Sequence, residues 1–280
     1  MASLASFLNQ SLRRVARLFP SGTARTWLSN RWTGLLKLVG VKHLSVPVGG
    51  RTMRIRTTNR QLGADYEAEA LKAWLSLIQP GDTVWDIGAN MGVYTVLTAQ
   101  SVGPTGKVTA WEPAPLTFGL LEDHVQANGL QDRCTLRNKA LADAPGTLPF
   151  LTDSFSMNRI VQPGTASSVL VEVETIDGFL PSTPAPVLVK IDVEGAELLV
   201  LRGAKQLLGD RSRIRPILLM GVHPQFMPEF GYEPTELQTL TQSLGYVWMT
   251  LAGVPVDRLE YNEFLIVPEE RVAAVREKLK

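Results

Sequence analysis

Apolar residues recur along the chain with two periods, and the switches between them mark out its elements. Leu4, Phe7, Leu8, Leu12, Val15 and Phe19 fall at helical spacing, with Arg13, Arg14 and Arg17 largely off that stripe, until Pro20-Ser-Gly breaks it. Residues 24–40 add Trp27, Trp32, Leu35, Leu36 and Leu38 among Arg25, Arg31 and Lys37. Residues 44–58 alternate around Gly49-Gly50, which predicts a small hairpin. Tyr66, Ala70, Leu71, Trp74, Leu75 and Ile78 predict an amphipathic helix ended by Pro80-Gly81. Strands and helices then alternate. The pattern predicts a strand ending at Asp86, a helix from Tyr94 to Ala99, a strand from Lys107 to Glu112, a helix from Leu116 to Asn128 and a short strand from Cys134. Between Pro149 and Thr175, strand-like runs surround a polar loop at 153–158, read as a hairpin beside the sheet. Strands at 187–191 and 214–222 flank a predicted helix from Glu197 to Leu208. A helix from Pro234 to Leu244 leads to a closing strand pair, 246–251 and 263–267, and a short C-terminal helix. The order predicts an α/β fold with helices on both faces of a parallel sheet and one antiparallel strand near its edge.

Charge divides the chain in a way its net +1 conceals. Residues 1–64 hold eleven Lys/Arg and no acid, so the remainder, with 17 basic and 27 acidic residues, carries −10. We therefore separate a basic amphipathic helical extension, 1–45, from a folded domain, 46–280. The extension predicts packing on the domain or on a second copy, contact with an anionic membrane surface, or a cleaved organelle-targeting segment. It carries no nucleic-acid reader motif. No apolar run is long enough to span a bilayer, and early polar residues argue against a secretory signal. The lone Cys134 predicts a buried structural thiol in a reducing, cytoplasmic setting.

The chemistry concentrates in Thr83-Val-Trp-Asp-Ile-Gly-Ala-Asn-Met-Gly-Val-Tyr94, a strand, a tight turn and a helix start. Such a corner lets backbone approach a ligand closely. The order Asp86-x-Gly88-x-Asn90-x-Gly92 is not the three-glycine pyrophosphate fingerprint, and a carboxylate at the strand tip would repel a pyrophosphate. It suits an amine-bearing ligand instead. Glu112, ending the next strand, suits the two hydroxyls of a ribose. A nucleoside carrying an amino acid, such as S-adenosylmethionine, satisfies both. Asp192, Glu194 and Glu197 cluster where a later strand feeds a helix, and Asp192 at the strand tip is the first candidate to position an acceptor or take its proton. His223 ends another strand at the same edge and is the second. Lys190 shares a strand face with Asp192 and predicts a structural ion pair. Asp192 with Glu194 could in principle hold a divalent cation, but without clustered histidine ligands no metal centre is predicted.

With Asp86-Ile-Gly-Ala-Asn-Met-Gly92, Glu112-Pro113, Lys190-Ile-Asp-Val-Glu-Gly-Ala-Glu197 and Leu201-Arg-Gly-Ala204, the chain resembles the FkbM-type methyltransferases over about residues 60–268. The resemblance implies the Rossmann-like class I methyltransferase fold, a seven-stranded, mostly parallel sheet with its last strand antiparallel, and S-adenosyl-L-methionine as cofactor. Position by position it implies Asp86, Gly88, Asn90 and Gly92 at the methionine end, Glu112 at the ribose hydroxyls, Asn138 and Ala140 near the adenine, and Ala89 and Pro113 also against the cofactor. Asp192, beside the cofactor, would join Glu194 and His223 in catalysis. It further implies O-methylation of a sugar, glycolipid or natural-product hydroxyl, a small-molecule or glycan acceptor, with N-methylation of a peptide or amine metabolite as the nearest variant. One departure stands out: family members commonly carry Glu two residues before the strand-ending His, and here that position is Gly221. A weakened enzyme or a cofactor-fold scaffold protein is the rival reading.

Overall fold

The structure is a computed structural model describing residues 31, 33–36, 38, 40–59, 62–152, 158–162 and 164–280. The helix predicted over 2–19 and most of the predicted polar loop at 153–158 lie outside the described residues. A hairpin of β1 (His43–Val48) and β2 (Arg51–Arg56) precedes α1 (Ala68–Leu77). The domain boundary drawn at residue 46 thus falls inside β1. Next come β3 (Thr83–Ile87), α2 (Val93–Ser101), β4 (Lys107–Trp111), α3 (Pro115–Ala127) and β5 (Cys134–Arg137). A side sheet follows, of β6 (Ala140–Leu141), β7 (Gly146–Leu151), β8 (Arg159–Ile160) and β9 (Ser168–Glu174). The chain then runs through α4 (Ile176–Phe179), β10 (Leu188–Ile191), α5 (Glu197–Arg202), α6 (Lys205–Gly209) and β11 (Ile217–Val222). It ends in α7 (Pro234–Ser243), β12 (Tyr246–Met249), β13 (Asn262–Pro268) and α8 (Val272–Lys278).

Seven strands form the main sheet in the order β12-β13-β11-β10-β3-β4-β5, with β13 antiparallel to both neighbours. This is the class I methyltransferase architecture. The order turns back between β3 and β10, so a crevice opens at their carboxyl ends. Both faces are buried, which explains the near-continuous apolar strands. Trp85, Ile87, Val189, Ile191, Met220 and Val222 pack on one face. Val84, Leu188, Ile217 and Leu219 pack on the other, under α1, α2 and the hairpin. On that second face the alternation breaks at the carboxyl ends, where Asp86, Lys190 and Gly221 stand in place of apolar residues. A strand polar only at its tip is a strand that ends in a site.

Two predicted elements differ. The helix expected from Glu197 to Leu208 is two helices, because a Cβ on Gly203 would lie 2.2 Å from the Ala142 carbonyl oxygen. The chain bends there to let the β6 loop in. The predicted 149–175 hairpin is instead part of a four-stranded sheet, β6-β9-β7-β8, with its own small core around Phe150, Ile160, Val171 and Val173.

Candidate active site

A cavity of about 600 Å³ occupies the crevice, within the range typical of small-molecule sites. One end is the turn after β3. Gly88 and Ala89 donate their amides to the Trp111 carbonyl at 3.0 and 2.9 Å, tying the turn to the tip of β4. Glu112 Oε2 accepts the Asn90 amide at 2.9 Å and Oε1 accepts the Ala114 amide at 2.8 Å. Burial pushes the Glu112 carboxyl up to about 7, against the pull of those two amides.

The glycines of this turn also meet a packing demand that the sequence did not reveal. A Cβ on Gly88 (φ 78°) would sit 1.8 Å from the Asp192 carbonyl oxygen, so its bareness admits the backbone after β10. Gly92 (φ 87°) is outside the cavity wall, and a Cβ there would meet Leu121 Cδ1 at 2.5 Å. Both admit neighbouring protein atoms, and Gly88 borders the cavity as well. Asp86 also lies off the wall, 1 % exposed, its Oδ2 accepting from Thr95 Oγ1 at 2.6 Å. Its Oδ1 has no hydrogen-bond partner among the described residues. Asn138 lies outside the wall as well, donating through Nδ2 to the carbonyls of Glu112 and Pro113 at 2.8 and 3.0 Å. It braces the loop that carries Glu112.

The other end is made of side chains from separated segments. Lys190 Nζ lies 2.8 Å from Asp192 Oδ2 and 4.6 Å from the centre of the Tyr94 ring. Burial opposes ionisation of Asp192, but Lys190 and His223 outweigh it and hold the carboxyl below the usual range. His223 Nδ1 is 2.8 Å from Glu197 Oε1, and Glu197 is fully buried. That carboxylate also accepts from the Gly195 amide at 3.0 Å and is 3.0 Å from the Tyr232 hydroxyl. Glu197 is therefore no plain helix cap. It fixes the imidazole so that Nε2 faces the cavity, 3.5 Å from Glu194 Oε2 and 3.7 Å from Asp192 Oδ1. Burial works against a charge on His223, yet Glu197, Asp192 and Glu194 together raise its pKa. Burial pushes Glu194 up to about 7.

Of the residues singled out in the sequence, Gly88, Ala89, Asn90, Glu112, Pro113, Ala140, Asp192, Glu194 and His223 border this one cavity. Sequence reasoning passed over Tyr66, Glu67, Tyr261 and Glu263, which close the far end. Backbone strain marks the site too. Four non-glycine residues among those described have positive φ, and three of them, Glu67 (38°), Asn90 (50°) and Glu194 (52°), line the cavity. Each such position costs about 1–3 kcal/mol and clusters at functional sites. Residue type signals it only at Asn90, since Asn tolerates this region, whereas Glu67 and Glu194 are held against their preference. The structure also brings one ligand atom from each of Asp192, Glu194 and His223 within 4.8 Å of the others. The sequence contained no histidine near the acid pair; β11 supplies it across the sheet.

Residues 86–248, over half of the chain, match the Methyltransferase FkbM domain. Hexuronic acid methyltransferase AglP of Haloferax volcanii is 28% identical over 187 residues, covering 65% of this chain and 75% of AglP. The 31-O-demethyl-FK506 methyltransferase FkbM of Streptomyces tacrolimicus is 28% identical over 178 residues, covering 50% of this chain and 65% of that protein. The crystal structure of Methyltransferase FkbM from Methylobacillus flagellatus aligns with a TM-score of 0.47 and 16% identity, covering 68% of this chain and 44% of that one.

Proposed function

Because this chain belongs to the FkbM methyltransferases, which are S-adenosylmethionine-dependent enzymes, we propose that it methylates a hydroxyl group of a sugar, glycolipid or other small natural product. One observation carries the reading: a single cavity joins the Glu112 corner to the Asp192–Glu194–His223 cluster. The donor chemistry fits the cofactor. Each Glu112 oxygen accepts one amide and keeps a lone pair for a ribose hydroxyl. The Gly88–Asn90 turn would hold the methionine end, and Pro113 and Ala140 would border the adenine. When bound, S-adenosylmethionine supplies an electrophilic methyl group and a neutral thioether leaving group.

The chain's own task is then alignment of the acceptor and disposal of its proton. Asp192, Glu194 and His223 Nε2 stand together at the cavity wall and would receive the acceptor hydroxyl. Among the described residues this end carries Glu67, Asp192, Glu194 and Glu263, with Lys190 the ammonium paired to Asp192. Such a wall favours an uncharged hydroxyl-bearing acceptor over a uronate, a contrast with the hexuronic acid in the name of AglP. The same four carboxylates favour, as a second reading, N-methylation of an amine that arrives as its ammonium.

The test is calorimetry with S-adenosylhomocysteine on wild type and Glu112→Ala, followed by acceptor screening with methyl-labelled cofactor. Wild-type binding near micromolar strength, about −8 kcal/mol, that collapses in the variant supports the reading. Absence of wild-type binding overturns it. NMR of the labelled product then distinguishes methyl on oxygen from methyl on nitrogen.

A further inference from the structure

We propose that Asp192, Glu194 and His223 form a binding site for a divalent cation of the manganese class. The role assigned to it below, holding the acceptor hydroxyl, rests on the methyltransferase reading above.

Two carboxylates alone would carry no such inference. The independent observation is the state of His223. The side chain is 8% exposed, and its Nδ1 is engaged by Glu197 at 2.8 Å. Glu197 is itself held by the Gly195 amide and faces the Tyr232 hydroxyl, so the imidazole cannot turn away. Nε2 points at the cavity, where its neighbours are the carboxylates of Glu194 and Asp192. A histidine whose rear nitrogen donates to a buried carboxylate, with its front nitrogen facing other carboxylates, is the arrangement that orients metal-ligating imidazoles.

The front geometry agrees. Nε2 lies 3.5 Å from Glu194 Oε2 and 3.7 Å from Asp192 Oδ1. Ligands about 2.1 Å from an ion stand roughly 3 Å apart when adjacent, so a small inward movement of two side chains completes the set. Lys190 engages Oδ2 of Asp192, which leaves Oδ1 for the ion. Two carboxylates and one imidazole suit manganese-like ions, which take both ligand types and keep open positions for water. Those open positions face the cavity. An acceptor hydroxyl entering one of them would be oriented and acidified, and would lose its proton to water. In this arrangement His223 Nε2 is a ligand, and the cation replaces a side-chain base.

Manganese(II) titration of the full chain, read by the EPR signal of the free ion, tests the proposal. We expect one saturable site per chain, with nitrogen modulation from a bound imidazole in pulsed EPR. Asp192→Asn, Glu194→Gln and His223→Ala should each weaken it by at least about tenfold, and Glu197→Gln by about 10–100-fold through loss of the imidazole's anchor. S-adenosylhomocysteine calorimetry on each variant shows that the fold and the other end of the cavity survive. It also separates the two ideas, since failure of that binding in wild type counts against the methyltransferase reading and not against the cation. No saturable manganese site in wild type, no nitrogen modulation, or a site that persists in His223→Ala overturns the proposal. The last outcome would mean that the carboxylates hold an adventitious ion only.

Discussion

At one end of the cavity the groups that face a ligand are presented by backbone. Gly88, Ala89 and Asn90 are a single turn, and Glu112 is aimed by two amides and braced by Asn138. At the other end they are side chains from five segments: Tyr66 and Glu67, Tyr94, Lys190 to Glu194, Gly221 to His223, and Tyr261 to Glu263. A backbone-built end is local, so its spacing survives as a motif. A side-chain-built end exists only after the sheet has assembled. The first would serve a constant cofactor and the second a particular acceptor.

The largest effect should come from the residue that joins the ends. A Cβ at Gly88 would lie 1.8 Å from the Asp192 carbonyl oxygen, on a backbone at φ 78° that disfavours side chains. Gly88→Ala therefore separates β3 from β10 and should cost about 3 kcal/mol or more. Urea unfolding should show a lowered midpoint, with cofactor binding and methyl transfer lost together. A variant of wild-type stability would mean that the two strand tips are not tightly coupled.

Next in size is a dissection of the two ends. Glu112→Ala removes the proposed acceptor for two ribose hydroxyls and should weaken S-adenosylhomocysteine binding about 100-fold, near 2.7 kcal/mol. Asp192→Asn should leave that binding within about threefold and lower turnover about 100-fold. Equal loss of cofactor binding in both variants would collapse the distinction between the ends.

That asymmetry also explains what the sequence could and could not reveal. Asp86-x-Gly88-x-Asn90-x-Gly92 and Glu112 are legible because one turn and one strand tip fix their relation. The alternation of strand and helix was equally legible, since each strand buried on both faces reads as an apolar run. The split of the predicted 197–208 helix was not, because its cause, the Ala142 carbonyl against Gly203, lies some sixty residues away in the chain. Nor was the pairing of His223 with Glu197, which needs β10 and β11 side by side. Glu67 and Glu194 are hidden for a further reason: their positive φ is imposed by tertiary context, and no residue type announces it.

A third, intermediate effect concerns pH at the backbone-built end. Burial raises Glu112 to about 7 in the folded protein, from an ordinary value of 4.5. The folded state thus binds more protons than the unfolded one between pH 4.5 and 7, so this group's contribution to stability is full below that window and is lost across it. Ligand binding would have the opposite sign, since ribose hydroxyls held at this corner would donate to the carboxylate. S-adenosylhomocysteine affinity should rise about tenfold from pH 6 to pH 8. Calorimetry on Glu112→Gln should show a flat profile. A wild-type profile equally flat would place the ribose elsewhere.

The smallest effect should be the most selective. Gly221 lies on β11 opposite Glu263, at the side-chain-built end, and carries no positive-φ requirement. A Cβ there would come 3.1 Å from both Asp192 Oδ1 and His223 Cε1. Those neighbours are side-chain atoms that can yield a few tenths of an ångström, so Gly221→Ala should fold with a stability change of about 0.5 kcal/mol or less. It would nonetheless crowd the space between the two groups proposed to receive the acceptor. The expected outcome is a few-fold rise in acceptor KM with S-adenosylhomocysteine affinity unchanged, because nothing of Gly221 touches the Glu112 corner. Were cofactor affinity to change and acceptor KM stay fixed, the acceptor would have to enter by another route. An unchanged KM and an unchanged affinity would mean that bulk at 221 is tolerated, and that the absence of a side chain there does not select the acceptor.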